Sequence, residues 1–131
     1  MTMSRNPAPR PTDAELAILR ILWDRGPSTV RQVHEILALD RPAAYTTALK
    51  LLQIMADKAL VARDDTDRTH VYTASLTESE TQRQLLDDLM TRAFRGSATT
   101  LVMQALSGAK ATPDELARIR QLLDEHEGGS R

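Results

Sequence analysis

The chain contains no cysteine. That absence removes disulfides, thiolate metal sites and cysteine nucleophiles together. It fits a reducing compartment, and a cytoplasmic location is expected. Aromatic residues make up only 3% of the chain, so any core has to be aliphatic, built from Leu, Ile, Val, Ala and Met. No apolar run approaches the roughly 20 residues that a membrane span requires, so no membrane insertion is expected. The opening MTMSRNPAPRPT lacks the apolar stretch of a signal peptide. Charge of one sign is also missing, since the net charge is -1. Residues 1–75 hold ten Lys/Arg against nine Asp/Glu, and residues 76–131 hold seven against nine. Any affinity for nucleic acid must therefore come from local placement of cations rather than bulk charge.

Signs of catalysis are equally scarce. His34, His70 and His126 lie far apart in sequence and on different elements. There is no Gly-rich phosphate loop and no nucleophile in a recognisable elbow. The pairs Asp87-Asp88 and Asp114-Glu115 suit helix surfaces or the positive ends of helices. No enzyme, no metal site and no cofactor are expected.

What the chain does have is a regular punctuation of helices. Its 131 residues fit one domain, or a small domain with an appended helical segment. Residues 1–11, with Arg5, Pro7, Pro9, Arg10 and Pro11, read as a disordered arm. Thr12 and Glu15 form a capping box that opens a first helix. Its buried stripe is Leu16, Ile18, Leu19, Leu22 and Trp23, and Gly26-Pro27 ends it. Ser28 is read as the cap of a second helix with Val30, Val33 and Leu37 inward. Arg41-Pro42 breaks the chain again, because a residue before proline avoids the α region. A third helix follows as AAYTTALKLLQIMADK, then strands LVAR and THVYTA around the charged turn DDTDR. A short strand near residues 28–30 would complete a winged helix.

After Ala74 the texture is all-helical. Thr77 and Glu80 form another capping box, Ser97 caps a short helix, and Thr112 caps a last one with Pro113 in its first position. Three short helices can hardly bury so many leucines alone. Residues 76–131 are therefore read as a dimerisation domain, intertwined through Leu85, Leu89, Phe94, Leu101, Leu106, Leu116 and Leu123. The alternative is that the segment packs back on its own N-terminal domain. The fold class expected is thus mostly α with a small β-hairpin: an N-terminal winged helix-turn-helix over residues 12–75 and a C-terminal three-helix dimerisation segment.

The third helix has two faces. Tyr45, Ala48, Leu49, Leu52, Met55 and Ala56 fall on one side, and Thr46, Thr47, Lys50 and Gln53 on the other. A recognition helix meets base edges with its N-terminal residues. Thr46 and Thr47 suit that place, because a hydroxyl can donate or accept and the methyl can touch a thymine methyl. Ala43 and Ala44 allow close approach, and Lys50 reaches a guanine edge or a phosphate. Tyr45 belongs either to the core or to a phosphate contact. Backbone contacts are assigned to Arg31, Arg41, Arg63, Arg68, Thr69 and His70 as well. Asp64, Asp65 and Asp67 oppose them, and a solvated turn is an equal reading of the hairpin.

These residues resemble the penicillinase-repressor (BlaI/MecI/CopY) family of winged-helix repressors over roughly residues 12–127. The specific pieces are PTDAELAILRILWDRGPSTVRQVHEIL, AAYTTALKLLQIMADKALVAR and THVYTA. The resemblance implies a homodimer that represses genes, often for β-lactam resistance or copper homeostasis, by binding a palindromic operator in double-stranded DNA. Thr46, Thr47 and Lys50 would then sit in the major groove, with the wing around Arg68 beside it. It also implies, for the β-lactam branch, a membrane sensor protease that cleaves the C-terminal domain. The aligned bond here is Gln104-Ala105, where the family has Asn-Phe. The copper branch's cysteine motif is missing. Where the family has Lys-Lys-Gly after the third helix this chain has Asp57-Lys58-Ala59, and Ile54 replaces an arginine. One cation in place of two predicts weaker backbone contacts and a stiffer turn. Leu51 and Ile54 are apolar on the nominally exposed face. Two other readings stay open: a small-molecule-responsive winged-helix regulator, and a winged-helix protein-interaction module without DNA binding.

Overall fold

A computed structural model describes residues 10–108 and 111–129. Most of the arm, residues 1–9, lies outside the described residues. The elements run α1 (Asp13–Arg25), β1 (Ser28–Thr29), α2 (Val30–Asp40), α3 (Tyr45–Asp57), β2 (Val61–Asp64), β3 (Val71–Ala74), α4 (Glu78–Ala93), α5 (Ala98–Gly108) and α6 (Pro113–Gly129). The chain is mostly helical with one small antiparallel sheet in the order β1-β3-β2.

Short-range chemistry sets the helix starts. Thr12 accepts from the Glu15 amide at 3.2 Å, and Glu15 Oε1 accepts from the Thr12 amide at 2.9 Å. The same box recurs as Thr77 with Glu80 and Thr112 with Glu115. Ser97 accepts from the Thr100 amide at 3.1 Å. The second helix corrects the sequence reading by one residue. Its N-cap is Thr29, in a box with Gln32, while Ser28 is buried in β1. Ser28 Oγ donates to the Gly26 carbonyl at 2.8 Å and accepts from Arg25 Nε at 2.9 Å. Ser28 thus serves the turn, which Gly26 makes at φ 89°.

Two compact units divide the chain, Met1–Leu85 and Leu86–Arg131. The division falls later than the change of texture at residue 75. The first turn of α4 belongs to the N-terminal unit, where Thr81 is buried and Trp23 Nε1 donates to the Leu76 carbonyl at 2.9 Å. The core of that unit is aliphatic apart from Tyr72: Ile18, Leu19, Ile21, Leu22, Val30, Val33, Leu37, Ala48, Leu52, Met55 and Val61. Leu16 and Trp23 only flank it. The sheet register pairs Val61 with Ala74, Arg63 with Tyr72, Asp64 with Val71, and Ser28 with Tyr72. Tyr72 therefore sits on the central strand, at the junction of all three strands.

In the C-terminal unit the apolar residues stay open. Between Leu86 and Gly128 no described residue is buried. Leu89, Met103, Leu106, Leu122 and Leu123 are all exposed, and Leu85, Phe94, Leu101 and Leu116 are half-buried.

Candidate nucleic-acid interface

The α3 helix presents an exposed polar strip because its other side is locked into the core. Ala48, Leu52 and Met55 are fully buried. Helical spacing then leaves Thr46, Thr47, Lys50 and Gln53 exposed. Ala44, the N-cap, is exposed and supplies no side-chain cap. Ala43 sits apart from this strip: it is half-buried and packs against the core. Tyr45 falls on the apolar half of the wheel, yet it is 47% exposed. Its ring stands edge-on to His34, with centroids 5.9 Å apart, so it is not a core residue. Leu51 shows the opposite: it is half-buried against the core. Of the two apolar residues on the nominally exposed face, only Ile54 is exposed, at 37%.

Two contacts that position α3 were not legible in the sequence. His34 Nε2–H donates to the Ala43 carbonyl at 2.8 Å, which fixes the connection from α2 into α3. His34 is therefore a tie rather than a solvated helix face. At the other end of α3, Lys58 Nζ meets both oxygens of Glu15, at 2.7 and 3.0 Å. The Glu15 side chain is almost fully buried and that of Lys58 mostly so. Burial pushes the Glu15 carboxyl up, but Lys58 and the Thr12 donors together hold it below its ordinary value. Lys58 is thus not a cation left over for phosphate; it clamps α3 to the start of α1.

The wing gathers charge of both signs. Arg63 Nε and His70 Nδ1 lie 2.8 and 2.6 Å from the same oxygen of Asp65. The Tyr72 side chain and Asp65 both favour the charged form of Arg63. Asp64 accepts from the amide and the hydroxyl of Thr66, and those bonds hold its carboxyl below the ordinary value. Arg68 and Thr69 are exposed at the tip. Arg68 makes no ion pair among the described residues. Of the remaining candidates, Arg31 pairs loosely with Glu35 at 3.7 Å, and Arg41 caps the end of α2 half-buried. Gln104 and Ala105 lie inside α5, both exposed. No cluster of His, Cys, Asp or Glu that could hold a metal ion exists among the described residues. No described helix is long and apolar enough to cross a membrane.

Comparison with known proteins gives a consistent answer. The family described as penicillinase repressor matches residues 11–125. The transcriptional regulator BlaI of Mycobacterium tuberculosis is 37% identical over 119 residues, covering 89% of this chain and 85% of the relative. The penicillinase repressor of Bacillus licheniformis is 22% identical over 118 residues, covering 90% and 92%. Among solved structures, monomeric Bacillus licheniformis BlaI in complex with the blaP half-operator aligns with a TM-score of 0.50 at 23% identity, over 56% of this chain and 90% of that one. A transcriptional regulator from Thermotoga maritima aligns with a TM-score of 0.50 at 16% identity, over 89% and 74%. At these identities the two structures speak for a shared winged-helix fold.

Proposed function

The chain belongs to the penicillinase repressor family, and on that premise we propose that this DNA-binding transcriptional repressor acts as a homodimer on a palindromic operator. The observation that carries the reading is the exposed strip Thr46, Thr47 and Lys50 on a helix whose opposite face is core. The uncapped N-terminus of α3 supports it, because free amides and the positive end of the helix dipole favour an approaching phosphate. In this reading the threonines and Lys50 meet base edges, with Ala44 allowing close approach. Tyr45, Arg31, Arg41, Arg68 and Thr69 lie along the backbone.

The open leucines of the C-terminal unit support the dimer. Leu89, Leu106 and Leu123 expose 47%, 40% and 60% of their surface, and apolar exposure on that scale favours association. A second copy of the same segment would cover it and set two reading helices one helical turn of DNA apart. Relief of repression by a sensor protease at Gln104-Ala105 would require α5 to open locally, since both residues are helical.

Binding to the DNA upstream of the chain's own gene, measured across a salt series, tests the reading. Tight binding to an inverted repeat, falling steeply with salt, is expected. Thr46→Ala and Thr47→Ala should each reduce discrimination against altered half-sites by about 1 kcal/mol or more, with little change for random DNA. Equal affinity for random DNA at every salt concentration would sink the proposal.

A further inference from the structure

We propose that Asp65 is an internal stand-in for a DNA phosphate: it holds Arg63 and His70 of the wing and so limits how strongly the wing grips a duplex. The inference rests on the DNA-binding reading above and adds a residue that sets affinity within it.

The hairpin register builds the contact. Asp64 pairs with Val71 at the end of the ladder, so Asp65 and His70 are the first residues of the loop on either side. They face one another across its base, and Arg63 lies just below. The Asp65 Oδ1 atom takes Arg63 Nε at 2.8 Å and His70 Nδ1 at 2.6 Å. All three side chains remain about half exposed, at 50%, 42% and 48%, so this is a surface contact that a duplex could reach. The other acids of the loop do not share the task. Asp64 is turned to Thr66, and Asp67 has no ion pair among the described residues.

A carboxylate and a backbone phosphate offer the same thing to these donors: a negative oxygen acceptor. Arg63 Nε and His70 Nδ1 therefore cannot serve Asp65 and a phosphate at once, and Asp65 neutralises part of the charge that Arg63 offers. An exposed ion pair is weak, shifting an equilibrium by at most about fivefold, so a phosphate can displace Asp65. The result is attenuation rather than blockade, and Asp65 also repels the strand it competes with.

The test compares Asp65→Asn with Asp67→Asn in the full-length chain. Both remove one negative charge from one loop, but only the first releases the two donors. The probes are the upstream duplex carrying the inverted repeat and a random duplex of the same length, each titrated across a salt series. Asp65→Asn should bind both duplexes about two- to fivefold tighter than wild type, with a salt dependence steeper by about one ion per wing. Asp67→Asn should change affinity by less than about twofold, as a charge without a partner does. Arg63→Gln should cost little in the wild type, where Asp65 already neutralises much of its charge, and should remove most of the gain in the Asp65→Asn background, leaving only the share that His70 contributes. Equal effects of the two Asp substitutions would overturn the proposal and leave DNA binding standing. So would a cost of Arg63→Gln that is the same in both backgrounds, or an Asp65→Asn protein that binds no tighter. Absence of salt-dependent binding by the wild type would overturn the repressor reading and this proposal together.

Discussion

The two units of this chain are both rich in leucine, and they use it in opposite ways. In the N-terminal unit Leu19, Leu22, Leu37 and Leu52 are buried with Ile18, Val33 and Met55 in one cluster. In the C-terminal unit Leu86, Leu89, Leu106, Leu122 and Leu123 are exposed, and no described residue from Leu86 to Gly128 is buried. The first unit buries its own apolar cluster and leaves a polar strip exposed on α3. The second offers its apolar residues themselves. On the proposal above, recognition and assembly would thus fall to separate units, the second drawing its stability from another copy.

The sharpest way to break that contrast is to alter one leucine in each unit. Leu52→Ala should cost about 3–4 kcal/mol, because it leaves a cavity among fully buried neighbours. That loss should be the same at any protein concentration. Leu89→Asp should leave the N-terminal unit folded but weaken self-association a hundredfold or more, since it places a charge in an apolar contact. Thermal unfolding over a range of concentrations, together with sedimentation, reads both effects. A concentration-independent loss for Leu89→Asp, with no change in sedimentation, would show that its leucines do not make the dimer.

A smaller effect concerns the ion pair that ties the end of α3 to the start of α1. Lys58→Met should cost about 3 kcal/mol near neutral pH, because it strands the buried Glu15 carboxylate. The sign of the pH dependence follows from Glu15, whose folded value lies below its ordinary one. The stability it contributes is full above the ordinary carboxylate value of about 4.3. It is lost as pH falls through the lower folded value. The deficit of Lys58→Met should therefore shrink in acid, once Glu15 is protonated in both proteins. Denaturant unfolding at several pH values measures it, and a deficit that does not change with pH would rule out the ion pair as its source.

How far sequence carried the reading depends on the range of each interaction. Capping boxes join residues three apart, and Thr12, Thr77 and Thr112 were legible for that reason. The order of helices and the hairpin followed from periodicity and breakers. The N-cap of α2 shifted from Ser28 to Thr29 because Ser28 was claimed by β1 and by Gly26. Residues at the borders of a helical face were undecided: Tyr45 came out exposed and Leu51 came out half-buried, since neighbouring elements choose which side of a border is covered. Contacts between distant residues left no local trace. Glu15 and Lys58 are 43 residues apart. Nor did the loop composition reveal that Asp65, rather than Asp64 or Asp67, would take Arg63 and His70. The exposure of Thr46, Thr47 and Lys50 was legible because a buried face on a helix dictates its opposite.

The smallest expected effect lies where α3 ends. Leu60 N–H bonds the Met55 carbonyl at 2.8 Å and Ala59 N–H bonds the Ala56 carbonyl at 3.1 Å, the pair of bonds that closes a helix through a left-handed residue. That residue is Ala59, at φ 63°. A side chain there costs about 1–2 kcal/mol, whereas glycine would add about 0.5–1 kcal/mol of entropy cost from the unfolded chain. Ala59→Gly should therefore stabilise the N-terminal unit by roughly 0.5 kcal/mol, the difference of those terms. It should do so without altering self-association, because the turn lies in the self-contained unit. The alanine follows directly on Lys58, whose side chain meets Glu15. If Ala59→Gly instead destabilised the protein, the stiffness of the turn would outweigh its strain, and the clamp at Lys58 would depend on it.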